Sequence, residues 1–162
     1  MRFGILTISD RSSRGEREDL SGPALASFLQ AENCPVLKQL ILPDDESALR
    51  HTLAEWSDSN ELDVILTTGS TGFAPRDIAP EATLAVIQKE APGLAELMRA
   101  ESLKKTKHAA LSRAVAGIRG RTIIINLPGS PKGAVENLSF IFPVLPHAIQ
   151  LLHEDPSSES SH

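Results

Sequence analysis

Four short runs rich in β-branched residues and leucine, Arg2 to Ile8, Val36 to Leu42, Leu62 to Thr68 and Thr122 to Leu127, constrain this 162-residue chain more than any other feature. Their apolar residues are nearly continuous, the pattern of strands covered on both faces. The segments between them have helical spacing. Leu20 to Ala31 places Leu20, Ala24, Phe28 and Ala31 on one stripe, and Ser47 to Trp56 does the same with Leu49, Leu53 and Trp56. Alternating strands and helices predict an α/β fold, a mostly parallel sheet with helices on both faces.

The second half adds detail. A helix is predicted from Pro80 through LAVIQKE, with an acid in its first turn, and another from Pro92-Gly93 to about Leu103. VAGIRGRTIII reads as two strands turning at Arg119-Gly120, a short antiparallel edge pair. Gly133 to His153 reads as helix broken near Pro143 and Pro146. The length suits one domain, residues 1–153, and the polar, serine-rich stretch 154–162 is expected to be a disordered tail.

Composition excludes some functions. Aromatics are 4% with no tyrosine, which argues against a nucleic-acid binder that stacks bases on exposed rings. The formal net charge of −5 gives no general attraction for polyanions, so any phosphate site is expected to be locally basic. No membrane association is expected, because no stretch looks like the roughly 20 apolar residues of a span. The N-terminal apolar run is too short for a signal-peptide core. The single cysteine, Cys34, has no partner for a disulfide or a zinc site, which fits a cytoplasmic protein.

In an open parallel sheet, ligands bind beyond the carboxyl ends of the strands. Each of the four strands here ends in polar or glycine-rich residues: Ser9-Asp10-Arg11; Pro43-Asp44-Asp45; Gly69-Ser70-Thr71-Gly72 with Arg76-Asp77; and Asn126 to Lys132. The GSTG loop suits close approach of backbone N–H groups to an anion, although a strand-to-helix turn uses glycine too. Neither GxxxxGK[ST] nor GxGxxG is present. Asp44 and Asp77 make sense together as ligands of Mg²⁺ bridging to phosphate, while each alone is equally readable as a helix cap or turn residue. Arg11, Arg14, Arg76 and Lys132 are the basic residues available to these loops. The five histidines show no metal-ligand spacing.

Taken in order, LTISDRSSRGEREDLSG, LILPDD, ILTTGSTGFAPRDIAPEAT, LSRAVAGIRG and IIINLPGSPKGAVE resemble the molybdopterin adenylyltransferase family, which includes bacterial MogA and the G domains of the plant Cnx enzyme and gephyrin. The resemblance implies a three-layer, MogA-like α/β domain, a homotrimer in the cytoplasm. It implies a nucleotidyltransferase that uses ATP and Mg²⁺ to adenylate molybdopterin in molybdenum cofactor biosynthesis, with the molybdenum-insertion enzyme as a partner. The family's essential aspartates fall on Asp44 and Asp77, as catalytic residues and Mg²⁺ ligands. Its substrate-binding positions fall on Ser9, Asp10, Gly69, Ser70, Thr71, Gly72, Gly129, Ser130 and Lys132.

Two residues depart from the family's pattern. Ser70 stands where a glycine is usual, and a positive φ there would make a side chain unfavourable. Ala79 stands where threonine is usual, and it is expected to deprive the following helix of a cap. Chemically, a phosphate nucleophile is already ionised at neutral pH, so a site of Asp, Arg, Lys, Gly and hydroxyls without a histidine base is sufficient. The alternative is a non-catalytic pterin-binding or scaffold module of the same family, for which Ser70 is the best argument.

Overall fold

The structure, a computed structural model, describes residues 1–154. The tail expected to be disordered lies, beyond Glu154, outside the described residues.

Six strands form one mixed sheet: β1 (Phe3–Ile8), β2 (Val36–Leu42), β3 (Val64–Thr68), β4 (Lys89–Glu90), β5 (Ala116–Arg119) and β6 (Thr122–Leu127), in the order β2-β1-β3-β6-β5-β4. The first four in that order run parallel, with Ile5 beside Leu66 and Leu66 beside Ile125. β5 and β4 join antiparallel. The sequence implied the β5–β6 pair, but β5 is not the edge. β4 is, and its two residues lie where the helix through LAVIQKE was expected to continue.

Helices α2 (Ser21–Ala31), α5 (Pro92–Leu103), α6 (Pro131–Ile141) and α7 (Leu145–Leu152) cover one face of the sheet. The other face carries α3 (Glu46–Asp58) and α4 (Ala79–Val86). Period-two alternation serves both: Ile5, Leu66 and Ile125 enter the first core, while Leu6, Ile65 and Ile124 enter the second. All six are at most 1% exposed, so each contributes roughly 1.5–3 kcal/mol of burial.

Three expectations need correction. β2 looked like a strand covered on both faces, yet it is a sheet edge with Leu37, Leu40 and Ile41 exposed. The buried stripe of α2 is Leu25 and Leu29 with Ser21 and Gly22; Leu20 precedes the helix and is 54% exposed. By length and mean hydropathy, Pro131–Leu152 passes for a membrane span. Ala134, Leu138, Ile141, Leu145 and Ile149 from this stretch pack one of its faces into the first core, while Val144 and Leu151 are exposed, and the helix is interrupted at Phe142–Val144.

From β1 the chain turns to one side toward β2, and from β2 it crosses over to β3 on the other side of β1. The carboxyl ends of β1 and β3 therefore flank a topological switch point, where loops diverge and leave a crevice.

Candidate active site

Each loop at that crevice is shaped by local hydrogen bonds. Ser9 caps α1 (Asp10–Ser13), its hydroxyl accepting from the Ser12 N–H at 3.2 Å, while its own N–H donates to the Leu42 carbonyl. After β2, the cap of α3 is Asp45, which accepts from the Ala48 N–H at 2.7 Å. Asp44 is thereby free of the capping role the sequence allowed it. It accepts instead from the Asp10 N–H at 2.9 Å, and its own N–H donates to Asp10 at 3.0 Å.

After β3, Gly69 adopts φ +99°, and a Cβ there would collide with the Ile8 carbonyl oxygen. Only glycine fits this crossing of two strand ends. Ser70 takes φ +58°, the left-handed conformation that made it suspect in the sequence. Its hydroxyl compensates by accepting from the Ile78 N–H at 2.8 Å and donating to the Arg76 carbonyl at 3.4 Å. Ala79 is not at a cap position: it is the first residue of α4, wholly buried, with Ile78 preceding it as the cap. The expected loss of a threonine cap therefore has no structural counterpart. Asp77 accepts from the Ala74 N–H at 3.1 Å, and Gly72 leaves room for that carboxylate, since a Cβ there would lie 2.9 Å from it.

After β6, the Gly129 Cβ position lies 3.2 Å from the Gly69 Cα, so the two glycine loops touch. Thr68 reinforces the contact by donating to the Pro128 carbonyl at 2.7 Å. Ser130 caps α6 through the Gly133 N–H at 3.1 Å, aligning the positive end of an 11-residue helix with the same rim. Asn126, grouped with this rim in the sequence, is instead fully buried, donating to Thr67 and Thr83 and accepting from the Val115 N–H.

These loops enclose a cleft of about 380 Å³ lined by Ser9, Asp44, Gly69, Ser70, Asp77, Gly129 and Ser130, all anticipated from the sequence. Thr7, Ser12 and the segment Arg17–Ser21 also line it and were not anticipated. The signal for part of that segment was present: Asp19 precedes Ser21-Gly22-Pro23 as a helix cap does, and its carboxylate accepts from the Ser21 and Gly22 N–H groups and the Thr7 hydroxyl.

Thr71 and Gly72 line a second cleft of about 360 Å³ on the far side of the GSTG loop, with Ser130 common to both. It is walled by α5, α6 and the 3-10 turn Lys107–Leu111, and His108 is at its lining. Asp10 and Lys132 line neither cleft. Asp10 joins loops together, and Lys132 is largely solvent-exposed 3.9 Å from Glu136.

Electrostatically, the first cleft contradicts the expectation of a locally basic site. Arg76 donates to Asp10 at 2.6 Å, holding that carboxyl below its ordinary range, and also to the Asp44 carbonyl. Arg14 pairs with Glu16. Among the described residues, the cleft lining contains one basic side chain, Arg17, against Glu18, Asp19, Asp44 and Asp77. A bare polyphosphate would be repelled here, and one accompanied by a divalent cation would not. The donor set agrees: Asp44 and Asp77 each spend one carboxylate oxygen on a backbone N–H, leaving hard oxygen donors for an ion. No group of three or more His, Cys, Asp or Glu that could hold a metal occurs among the described residues, so an ion here needs oxygens from its ligand as well.

Residues 4–147 match the family model described as a probable molybdopterin binding domain. The chain is 44% identical to the molybdopterin adenylyltransferase of Helicobacter pylori (strain J99) over 94% of this chain and 88% of that protein. It is 45% identical to the molybdenum cofactor synthesis protein cinnamon of Drosophila melanogaster over 96% of its own length, while spanning only 26% of that much longer protein. The crystal structure of the molybdopterin biosynthesis enzyme MoaB from Thermus thermophilus superposes with a TM-score of 0.89 at 52% identity, covering 96% of this chain and 98% of that one.

Proposed function

The chain belongs to the molybdopterin-binding domain family of molybdenum cofactor biosynthesis, and from that premise we propose that it is a molybdopterin adenylyltransferase, a nucleotidyltransferase that moves AMP from ATP to the terminal phosphate of molybdopterin. The observation that carries this reading is the placement of Asp44 and Asp77, from two different crossovers, on one cleft walled by two glycine loops and a helix N-terminus.

In the reaction, a terminal phosphate oxygen of molybdopterin attacks the α-phosphorus of ATP. A new P–O bond forms, the bond from the α-phosphorus to the α–β bridging oxygen breaks, and pyrophosphate departs with the electron pair. No proton need be removed from the nucleophile, so the absence of histidine from the first cleft's described lining is no obstacle. The Ser70 backbone N–H and the hydroxyls of Ser9 and Ser130 would orient phosphate oxygens, the Gly69 N–H being spent on the Leu127 carbonyl, and the α6 N-terminus favours negative charge beside them. Asp44 and Asp77 would hold Mg²⁺, which supplies neutralisation of phosphate charge when bound. Each cleft has the volume of a site for one small ligand, and two clefts meeting at Ser130 suit a reaction that joins two.

The alternative, a non-catalytic pterin-binding or scaffold module, rested mainly on Ser70. That side chain is used to close its own loop, which weakens the alternative. We further propose that residues 1–153 act as one domain, in a cytoplasmic homotrimer that passes its product to a molybdenum-insertion enzyme. Incubation with ATP, molybdopterin and Mg²⁺ tests the central reading. The enzyme releases pyrophosphate only when both substrates are present, whereas retention of the pterin without pyrophosphate would identify a binding module.

A further inference from the structure

We propose that Arg113 is a positioning residue for this reaction, fastening the loop that presents Asp77 to the cleft; the inference rests on the adenylyltransferase reading. Arg113 lies between the 3-10 turn and β5, outside the first cleft. Its guanidinium donates to the Gly72 carbonyl at 2.7 Å and the Asp77 carbonyl at 2.9 Å, and pairs with Glu81 in the first turn of α4. Its backbone N–H donates to the Thr71 carbonyl at 2.9 Å. One residue thus grips the Asp77 loop at both ends and fixes it to the helix that follows.

The grip has its own anchor. Arg99 of α5 donates to the carbonyls of Ser112 and Ala114, one on each side of Arg113, at 3.4 and 2.8 Å. Val115 then pairs with Asn126 of β6 through two hydrogen bonds. The position of the Asp77 backbone is therefore referred to the sheet through Arg113. Within the loop itself, the Asp77 carboxylate is held by the Ala74 N–H alone.

A planar fork with donors on several edges can satisfy two carbonyls and a carboxylate at once, which the point-like ammonium of lysine cannot. Arg113→Lys keeps the charge beside Glu81 and loses the fork. Misplacing a reacting group by about 1 Å costs about 100-fold in rate, so the loss falls on kcat and not on substrate capture.

The test compares wild type, Arg113→Lys, Arg113→Ala and, as a control, Arg119→Lys, which disrupts a similar arginine fork joining Asp58 and the Val86 carbonyl, none of which lines either cleft. We expect Arg113→Lys to lower kcat for pyrophosphate release about 10- to 100-fold with KM for ATP within about threefold. Amide hydrogen exchange should accelerate across 72–77. Millimolar guanidinium should restore part of the Arg113→Ala activity, and Arg119→Lys should turn over normally. Unchanged kcat in Arg113→Lys, or unchanged exchange in 72–77, overturns the proposal, as does an equal loss in Arg119→Lys. Failure of the wild type to release pyrophosphate overturns the functional reading instead, and exchange alone then decides whether Arg113 tethers the loop.

Discussion

Asp10 and Asp44 exchange hydrogen bonds reciprocally, each backbone N–H donating to the other's carboxylate, at 2.9 and 3.0 Å. This pair joins the ends of β1 and β2, and Arg76 extends it to the Asp77 loop by donating to Asp10 and to the Asp44 carbonyl. Asp10 therefore acts on the cleft through Asp44. Asp10→Ala should lower pyrophosphate release at least about tenfold while leaving the pterin affinity nearly unchanged, since it removes orientation and not a substrate contact. Steady-state kinetics beside a direct binding titration checks this.

Ser70 holds two opposing effects. Its φ of +58° costs about 1–2 kcal/mol relative to glycine, and its hydroxyl returns about 1 kcal/mol through the Ile78 N–H. Ser70→Gly should consequently change unfolding stability by less than about 1 kcal/mol and the rate by less than about threefold. Urea denaturation and turnover measure the two. A large gain in rate would mean that the serine impairs the natural protein.

Gly69 has no such compensation available. Its φ of +99° lies outside the region serine occupies next door, and a Cβ would meet the Ile8 carbonyl oxygen. Gly69→Ala should destabilise by about 2–4 kcal/mol and separate the ends of β1 and β3, which abolishes turnover. Equilibrium unfolding with parallel activity measurements is the check.

Asp63 predicts a pH dependence remote from the site. Burial raises its pKa, but hydrogen bonds from the Arg2 guanidinium and N–H outweigh burial, so the net direction is downward. A carboxyl whose folded pKa is depressed stabilises the fold above its unfolded value near 4, and that contribution disappears as pH falls through the folded value. Thermal stability of the wild type should therefore decline below about pH 4, and Asp63→Asn should be less stable at neutral pH with a shallower decline. Melting curves from pH 7 to 3 follow it.

Much of this was legible in the chain. β1, β3 and β6 announced themselves because both of their faces are buried, and seven cleft residues were found because strand ends in a parallel sheet converge on one rim. β2 had the same apolar run but is an edge, a distinction decided by neighbours and not by composition. The stripe of α2 was misphased by one residue because Leu20, Ala24 and Phe28 share the four-residue spacing of Ser21, Leu25 and Leu29. β4 is two residues long and leaves no periodicity. The charge of the cleft was misjudged because Arg14 and Arg76 are spent on carboxylates, one of them 66 residues away. Arg113 escaped notice because its partners include backbone carbonyls, which leave no signature in side-chain identity.

The proposed adenylyl transfer depends most on Asp44 and Asp77 acting together in the first cleft. Pyrophosphate release from ATP, molybdopterin and Mg²⁺ by the wild type, Asp44→Asn and Asp77→Asn tests this directly. Each substitution should lower kcat at least about 100-fold while the melting temperature stays close to that of the wild type. Turnover within about threefold of the wild type in either folded variant would contradict the assignment.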